Sequence, residues 1–326
     1  MEKELIAGIG DSGRRLDRIL RRALPAAPLS LIHRLLRKGK ITVNGIPGKG
    51  KDRISEGSRI GIPKETALFE YRTENSQSNL ESAPAPFLKL PDLHILLEEA
   101  GLLILNKPAG LAVHGPGRNC LDALVLAYLR DKLPPSLSFK PGPLHRLDQI
   151  SSGIIVFSRT LAGARAFSAM MKARNLRKTY LALTDGLAGK AVWEDALVRD
   201  KTLKKTLVVK EKQALAKSAK TKVFPLALHP DYSLIVLEIE TGLTHQIRSQ
   251  AAFHGHPLSG DRKYGGSPLK GGPFLHALSL GFPDRGLPIE IEELQGRTIS
   301  APLPGPFLRQ IRKIFGKIPL PRPGQP

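Results

Sequence analysis

The sequence predicts an α+β fold in which a mixed, mostly antiparallel sheet follows a small N-terminal α/β module. Six short strand-like runs recur between 94 and 242, and the helix-like stretches among them are chiefly two. This pattern disfavours a doubly wound parallel sheet, because such a sheet alternates its strands regularly with helices. Ahead of these strands, two short amphipathic helices precede an Asn-Gly turn, which indicates a small helix-and-hairpin module.

The chain has 326 residues, which is enough for one large domain and one or two small ones. We expect the small module over 14–64 and the large domain over 91–304. The polar, Ser- and Pro-bearing stretch 71–87 predicts a linker that tethers the small module loosely. Residues 305–326 predict a basic, Pro-rich C-terminal tail with one short helix, and we expect this tail to be a surface appendage.

The small module is predicted to contain two basic helices and a hairpin. The first helix lies in RRLDRILRRAL, whose apolar residues recur at helical spacing. In LSLIHRLLRKGK, Ser30 is expected to cap the start of the second helix and Gly39 to end it. Asn44 and Gly45 then predict a hairpin turn. The basic residues of this module that we expect to bind a polyanion are Arg15, Arg18, Arg34, Arg37, Lys38 and Lys40.

The charge balance of the chain is strongly basic. Fifty Lys and Arg residues against 29 Asp and Glu residues leave a net charge of +21, which indicates a polyanionic partner, either nucleic acid or an anionic membrane surface. No apolar run approaches the roughly 18–20 residues that span a bilayer, and the N-terminal residues lack the apolar core of a signal peptide. Nucleic acid is therefore the predicted partner, and no membrane is expected.

Cysteine and histidine usage bears on the compartment and on cofactors. The single cysteine, Cys120, excludes an internal disulfide and fits a reducing cytoplasm. His254 and His256 come nearest to a metal motif, but no Cys pair accompanies them and neither has a helical i, i+4 partner. Neither a dinucleotide fingerprint nor a P-loop is present. We therefore expect no metal and no cofactor.

One carboxylate is conspicuous in the stretch GPLHRLDQISSGIIVFSRT. Asp148 lies between Arg146 and a Ser-Ser-Gly turn, just before the apolar run 154–157. Two interpretations are open: a plain ion pair with Arg146 or Arg159, or a catalytic carboxylate fixed at the end of a buried strand. The small residues of the turn would let a ligand or another backbone approach closely. The position at a strand end favours the catalytic interpretation.

Two further polar residues lie at comparable places in the predicted fold. Tyr180, in RKTYLAL, is either a packed strand residue or part of a site. In THQIRSQAAFHG, Thr244 is expected to cap a helix that Gly255 ends, which places Arg248 one turn into that helix. The Gly-rich stretch GDRKYGG follows and predicts a loop.

The small module resembles the S4 RNA-binding domain. The family pattern of RLD ahead of the first helix corresponds to Arg15 to Asp17, and its closing strands correspond to GKITVNG and SEGSRIGIP. Ser58 stands where the family has an acid after Gly57. The resemblance implies a module that binds structured RNA through the basic face of its paired helices.

Five ordered motifs of the large domain resemble those of the RluA-type pseudouridine synthases. They are NKPAGLAVHGPG, HRLDQISSGIIVFSRT, KTYLALTDGLAG, TGLTHQIRSQAAFHGHPLSGDRKYGG and FLHALSLGF. Three positions depart from the family pattern: Ser151 replaces a Thr, Leu243 replaces an Arg, and Gln250 stands where His is common. These departures leave the Asp, Tyr and Arg positions intact, but they affect residues expected near the substrate.

The resemblance implies a pseudouridine synthase fold and the isomerisation of uridine to pseudouridine in RNA. It implies that Asp148 is the catalytic acid, acting as nucleophile or base, and that Arg248 orients it. Tyr180 would pack on the uracil and take the C5 proton. Arg146 would insert near the place that a flipped-out uridine vacates. A carboxylate must be ionised for either role, and an ordinary aspartic acid is ionised at neutral pH.

The arrangement of an S4-like module before this domain implies 23S ribosomal RNA, or its large-subunit precursor, as the partner. We expect no DNA partner, a monomer, and a cytoplasmic location. Two alternatives keep the same fold: a catalytically idle RNA-binding or ribosome assembly factor, and a synthase acting on tRNA. A hydrolase using His145 and Asp148 is disfavoured, because residues three apart on an extended strand end point to opposite faces and no nucleophilic Ser motif accompanies them.

Overall fold

The computed structural model describes residues 3–66, 92–115, 119–209 and 215–321. The chain divides into two units: the first draws on 1–91, 126–142 and 159–161, and the second on 92–125, 143–158 and 162–326. Each unit has a buried apolar core of its own. The predicted linker, 71–87, lies outside the described residues.

The first unit contains two helices and a small sheet, which agrees with the predicted α/β module. Its elements are β1 (Lys3–Ile6), β2 (Arg14–Arg15), α1 (Leu16–Ala23), α2 (Leu29–Arg37), β3 (Thr42–Val43), β4 (Ile46–Pro47), β5 (Arg53–Ile54) and β6 (Arg59–Ile62). Four of the described strands form an antiparallel sheet in the order β1-β6-β3-β4, and β2 pairs with β5. The apolar faces of both helices pack into one buried cluster with residues from these strands.

The ends of α2 differ in part from the prediction. The helix begins at Leu29 with Pro28 as its N-cap, so the predicted cap at Ser30 is wrong. The extended backbone of Pro28 already places its carbonyl to accept the N–H groups of the first turn, and no side-chain cap forms there. The predicted stop at Gly39 is confirmed: it has a φ of 65°, which glycine adopts readily.

Strand β1 and Asp11 belong to this unit although the sequence prediction began the module at residue 14. Strand β1 pairs with β6 along its whole length. The fully buried Asp11 carboxylate accepts hydrogen bonds from the Ser136 and Ser138 hydroxyls at 2.8 and 2.5 Å and from the Leu137 N–H at 2.8 Å. These bonds connect the segment 126–142 to the residues that precede the linker.

A large sheet dominates the second unit. The elements that follow residue 92 are, in chain order, β7 (Ile95–Glu99), β8 (Leu102–Lys107), α3 (Leu121–Leu129), β9 (Ser152–Ser158), α4 (Leu161–Ala173), β10 (Arg177–Asp185), β11 (Ala191–Asp200), β12 (Lys205–Val209), β13 (Lys217–His229), β14 (Tyr232–Ile239), α5 (Gln246–Phe253), β15 (Leu275–Gly281), β16 (Thr298–Ser300) and α6 (Gly305–Phe315).

Within the described residues the large sheet has ten strands, in the order β12-β11-β13-β14-β10-β15-β9-β8-β7, with β16 paired to β15. All neighbours are antiparallel except β9 and β15, which are parallel. The predicted mixed, mostly antiparallel sheet is therefore confirmed. The hairpin β11–β12 was not predicted, because the charged pairs Glu194–Asp195 and Arg199–Asp200 interrupt the apolar residues of β11 and obscure its alternation.

The C-terminal helix is not the surface appendage that the sequence suggested. Phe307 and Ile311, one turn apart on α6, are each 2% exposed and pack into a core cluster with sheet residues. The ring of Phe307 lies 5.1 Å from that of Phe274. The helix is amphipathic, so its basic residues face outward while its apolar face covers the sheet. Residues 322–326 lie outside the described part of the chain. Within the described part, no helix has the length and apolarity needed to cross a membrane.

The parallel contact between β9 and β15 requires a glycine. Gly153 has a φ of 108°, and a Cβ placed on it would lie 2.2 Å from the backbone oxygen of Ala277. Beside it, the Ser152 hydroxyl lies 2.8 Å from Nδ1 of the buried His276, whose Nε2–H donates to the Ala301 carbonyl at 3.1 Å. Gly153 of the Ser-Ser-Gly turn therefore admits another backbone and fixes the start of β9 against β15, while Ser151 of the same turn lines a cavity with Asp148.

We predict that Gly153→Ala lowers the free energy of unfolding by roughly 2–4 kcal/mol, because the added methyl must displace β15 and the left-handed backbone disfavours alanine. Urea unfolding followed by circular dichroism measures this loss. Gly189→Ala is the matched control, since a Cβ there meets no atom within 4 Å. Equal stabilities of the two variants would contradict the predicted requirement for glycine.

Candidate active site

Asp148 lies on the loop that leads into β9, at a cleft of about 720 Å³ in the second unit. Its side chain is 19% exposed, and its Oδ2 accepts a hydrogen bond from Nη1 of Arg248 at 3.0 Å. Arg146, two residues before it, is exposed and lines the same cleft. The ion pair of Asp148 is therefore made with Arg248, and Arg146 faces the cleft.

A buried lysine fixes the backbone of the Asp148 loop. Lys107, at the end of β8, is fully buried, and its Nζ donates to the carbonyls of Pro108, Leu111 and Gln149 at 2.9, 2.8 and 3.2 Å. Burial lowers the pKa of Lys107 to about 8, although the charge of Asp148 opposes this. Because Gln149 adjoins Asp148, these bonds join the loop after β8 to the loop that carries the carboxylate.

Arg248, on the first turn of α5, is held by a second carboxylate. Its Nε and Nη2 donate to the two oxygens of Asp261 at 2.6 and 2.9 Å. The Arg248 side chain is 6% exposed and that of Asp261 2% exposed. Burial lowers the pKa of Arg248, but the hydrogen bonds to Asp261 and Asp148 outweigh it, so the pKa is raised overall. The bidentate contact fixes the guanidinium plane and directs its remaining nitrogen at Asp148.

His245 stands at the N-cap of α5, where the sequence predicted Thr244. Its φ is 55°, and its Nε2 lies 3.7 Å from Oδ1 of Asp148. Its Nδ1 lies 2.7 Å from the hydroxyl of Tyr264, which also accepts the N–H of Thr206 at 2.8 Å. Burial lowers the pKa of His245 to about 4, and the neighbouring cations add to this while Asp148 opposes it. The imidazole is therefore neutral at physiological pH.

Tyr180 lies on β10, next to a bulge in its pairing with β15. It lines a smaller cavity of about 80 Å³ together with Asp148 and Arg248, so the three predicted catalytic residues meet in one place. Burial and the charge of Asp148 raise the pKa of Tyr180, which keeps the phenol neutral. Within the described part of the chain its hydroxyl has no hydrogen-bond partner, and it is available to a ligand.

Cations crowd one side of the cleft. Partial burial and the charges of Arg199, Arg248, Lys205 and Lys204 lower the pKa of Lys263. Among the described residues no carboxylate forms an ion pair with Arg199, Lys204, Lys205 or Lys263. Uncompensated positive charge of this kind attracts a polyanion.

The predicted basic residues of the first unit form a separate group. Arg15 differs from the others, because it is paired with the Asp17 carboxylate through two hydrogen bonds of 3.1 and 2.5 Å. The remaining predicted residues have exposed side chains, and they are Arg18, Arg34, Arg37, Lys38 and Lys40. The C-terminal half of α2 and the turn after it therefore present a cationic surface.

Four residues of the site were not foreseen: Lys107, His245, Asp261 and Tyr264. Each lies inside a motif that the sequence displays, in NKPAG, THQIR or GDRKYGG, but nothing in those strings shows which side chains meet. Of the two histidines considered as metal ligands, His254 has an aromatic ring and the Asp195 carboxylate beside it. His254 stacks on Trp193 at 5.0 Å, and within the described residues no group of His, Cys, Asp or Glu could hold a metal ion.

Comparison with known proteins identifies both parts of the chain. The sequence model of the RNA pseudouridylate synthase family matches residues 101–253, and that of the S4 domain matches residues 14–60. Ribosomal large subunit pseudouridine synthase C of Salmonella typhi is 31% identical over 294 residues, covering 85% of this chain and 87% of that protein. The protein of the same name from Vibrio vulnificus is 29% identical over 310 residues, covering 89% and 91%.

Solved structures agree with this assignment at the level of the fold. The structure of human RNA pseudouridylate synthase domain containing 4 matches with a TM-score of 0.55 at 24% identity, over 70% of this chain and 95% of that chain. That of human RNA pseudouridylate synthase domain containing 1 matches with a TM-score of 0.52 at 22% identity. The pseudouridine synthase fold is therefore confirmed, and with relatives above 30% identity across most of its length, the chain belongs to the RNA pseudouridylate synthase family.

Proposed function

We propose that this RNA pseudouridine synthase isomerises uridines of large-subunit ribosomal RNA, the 23S rRNA, with Asp148 as its catalytic carboxylate. The observation that carries the catalytic assignment is the ion pair of Asp148 with a buried Arg248 at the floor of a basic cleft. The choice of ribosomal RNA is supported by the relatives, which are named for the ribosomal large subunit and cover most of this chain.

The reaction needs no atoms from outside the uridine except an exchanged proton. The bond between N1 and C1′ breaks, the uracil rotates, and a bond forms between C5 and C1′. One proton leaves C5 and one is gained at N1, so no oxidant, reductant or group donor is required. An anionic group beside C1′ or the uracil ring, acting as nucleophile or base, is what the protein must supply.

The contacts of the site support a separate role for each of its side chains. Arg248 donates to Oδ2 of Asp148, so the carboxylate keeps its orientation when the nucleoside displaces water. Tyr180 presents a neutral hydroxyl to the same cavity, where its ring can pack on the uracil. Because the phenol is neutral, it can take the C5 proton only if its own proton passes to a second base, and the Asp148 carboxylate lines the same cavity. Arg146 faces the cleft and is placed to fill the space that the flipped-out uridine leaves in the RNA.

Affinity for RNA would come from two cationic surfaces that carry no sequence information of their own. The exposed cations on α2 and the uncompensated cations beside the cleft can both bind phosphates, which positions the RNA while the pocket selects the base. The idle RNA-binding factor is disfavoured, because an RNA-binding surface alone does not require a buried ion pair, a free tyrosine and a cleft at one point.

We predict that Asp148→Asn abolishes the release of tritium from C5-labelled uridine in an unmodified 23S rRNA transcript, with a rate at least about 1,000-fold below wild type. The amide lacks the charge that either chemical role needs. Asp231→Asn, at an exposed position, is the matched control and should react normally. A fully active Asp148→Asn variant would refute the catalytic assignment, and release from tRNA but not from 23S rRNA would refute the proposed target.

We predict that Asp261→Asn lowers kcat about tenfold or more while KM changes little, because the amide has one acceptor oxygen and leaves Arg248 less firmly held. Steady-state tritium release measures both constants. Asp11→Asn removes another buried carboxylate and should lower stability without lowering kcat. The idea fails if the two variants have the same kcat.

We predict that replacing Arg34, Arg37 and Lys38 by Gln makes the plot of log affinity against log salt concentration less steep by about 2 units. Each phosphate contact that is lost no longer releases a counterion when the RNA binds. Filter binding of 23S rRNA fragments over a salt series gives this slope. The control replaces Arg309, Arg312 and Lys313 of α6 by Gln, which changes the net charge equally. Equal slopes for the two triple variants would show that α2 does not contact the RNA.

A further inference from the structure

The two oxygens of the Asp148 carboxylate have different surroundings. Oδ2 accepts the hydrogen bond from Arg248 at 3.0 Å, whereas Oδ1 faces Nε2 of His245 at 3.7 Å. A separation of 3.7 Å is too long for a strong hydrogen bond, so Oδ1 keeps its lone pairs accessible. His245 also lines both cavities beside Asp148, although the proposed roles of Asp148, Arg248 and Tyr180 do not use it.

The contacts of Tyr264 determine which nitrogen of His245 carries the proton. The Tyr264 oxygen already accepts the backbone N–H of Thr206 at 2.8 Å. Among the described residues, Nδ1 of His245, 2.7 Å away, is the acceptor within reach of the phenolic hydrogen. If the phenol donates to Nδ1, that nitrogen is unprotonated and the proton of the neutral ring resides on Nε2.

We propose that His245 is a positioning residue whose Nε2–H, fixed by the hydroxyl of Tyr264, orients Oδ1 of Asp148 as the reacting oxygen. The proposal rests on the proposed function, because it assigns a role at the same carboxylate. At 3.7 Å the Nε2–H is beyond hydrogen-bond length, so it attracts Oδ1 only through the dipole of a neutral ring and leaves the lone pairs of that oxygen available to the uridine. An imidazolium at the same place would form an ion pair with Oδ1 and withdraw it from the uridine.

The backbone of His245 has a strained conformation that holds the imidazole in one orientation beside Asp148. A non-glycine residue with a φ of 55° is uncommon, and such strain persists only where surrounding contacts maintain it. The imidazole meets the Tyr264 ring edge to face at 5.6 Å, and that ring also lies 4.9 Å from the guanidinium of Arg248. Tyr264 therefore contacts both side chains that face Asp148.

Burial is the main cause that keeps the imidazole neutral, and charged groups from several elements modify its effect. Arg248 on α5, Arg199 on β11 and Lys263 beside Tyr264 all oppose its protonation, while Asp148 favours it. Burial raises the pKa of Tyr264, so the phenol remains a donor. Removal of the Tyr264 hydroxyl would leave burial and these charges in place, so the ring would stay neutral, but its proton could then move to Nδ1.

His245→Gln and His245→Met form a matched pair for the first test. Both share the backbone strain and the approximate length of the side chain, but only glutamine keeps an N–H donor near the place of Nε2. We expect His245→Gln to stay within about threefold of the wild-type kcat, and His245→Met to lose roughly 10- to 100-fold in kcat with little change in KM. Equal kcat values for the two variants overturn the proposal.

Tyr264→Phe provides a second test through kcat. Without the hydroxyl nothing holds the proton of the neutral ring on Nε2, so we expect kcat to fall roughly 3- to 10-fold with little change in KM. In the double variant His245→Gln with Tyr264→Phe, the donor no longer depends on the hydroxyl, so kcat should match that of His245→Gln alone. A Tyr264→Phe variant with the kcat of wild type contradicts the role of the hydroxyl.

Nitrogen NMR of the histidine-labelled protein tests the tautomer without any assay of activity. The resonances of His245 are those that disappear in His245→Gln, and at neutral pH we expect a proton on Nε2 and none on Nδ1. A proton on Nδ1 overturns the inference whatever the enzyme does. Wild-type protein that releases no tritium would refute the proposed function, whereas active wild type with fully active His245→Met refutes only the role of His245.

Discussion

The guanidinium of Arg248 is shared by two carboxylates, and the geometry of the site depends on this shared contact. Asp261 takes two of its N–H groups and Asp148 takes a third. Burying an isolated guanidinium or carboxylate costs several kcal/mol, so each group is tolerated in the site because the others are present. A bidentate contact also fixes a plane, which a lysine in the same place could not do. Asp261 does not contact Asp148, but it influences the orientation of that carboxylate by holding Arg248.

The scaffold brings these groups together from three separate segments. Arg248 comes from α5, Asp261 from the Gly-rich loop that follows, and Asp148 from the loop before β9. The parallel contact at Gly153 fixes the start of β9, and Lys107 fixes the backbone on the other side of Asp148 through three carbonyl oxygens. Both devices act on the main chain and leave the carboxylate itself free. The sheet therefore supplies rigidity, and the loops at its edge supply the chemistry.

Sequence patterns reached the fold class and the residues Asp148, Tyr180 and Arg248, because motifs and strand ends are local signals. They could not reach Asp261, which lies 13 residues from Arg248 and resembles any loop aspartate until the two side chains are seen to meet. The burial of α6 could not be predicted for a related reason. The sequence shows that this helix has an apolar face, but it does not show which part of the sheet that face covers. The periodicity of apolar residues predicts single helices and strands, but it does not show which side chains of distant segments are in contact.

If Asp148 is the catalytic carboxylate, as we propose, the charge distribution explains how a strongly basic protein can use it. Asp148, Arg248 and Asp261 together carry one net negative charge, and this centre lies beside the uncompensated cations of β11 and the Gly-rich loop. Phosphates are drawn to those cations and repelled from the centre, whereas a neutral uracil is not repelled. Under the proposed function, a uridine would reach Asp148 with its base turned out of the RNA helix while its backbone stays among the cations. The same field that gathers RNA thus favours the flipped-out geometry that the reaction requires.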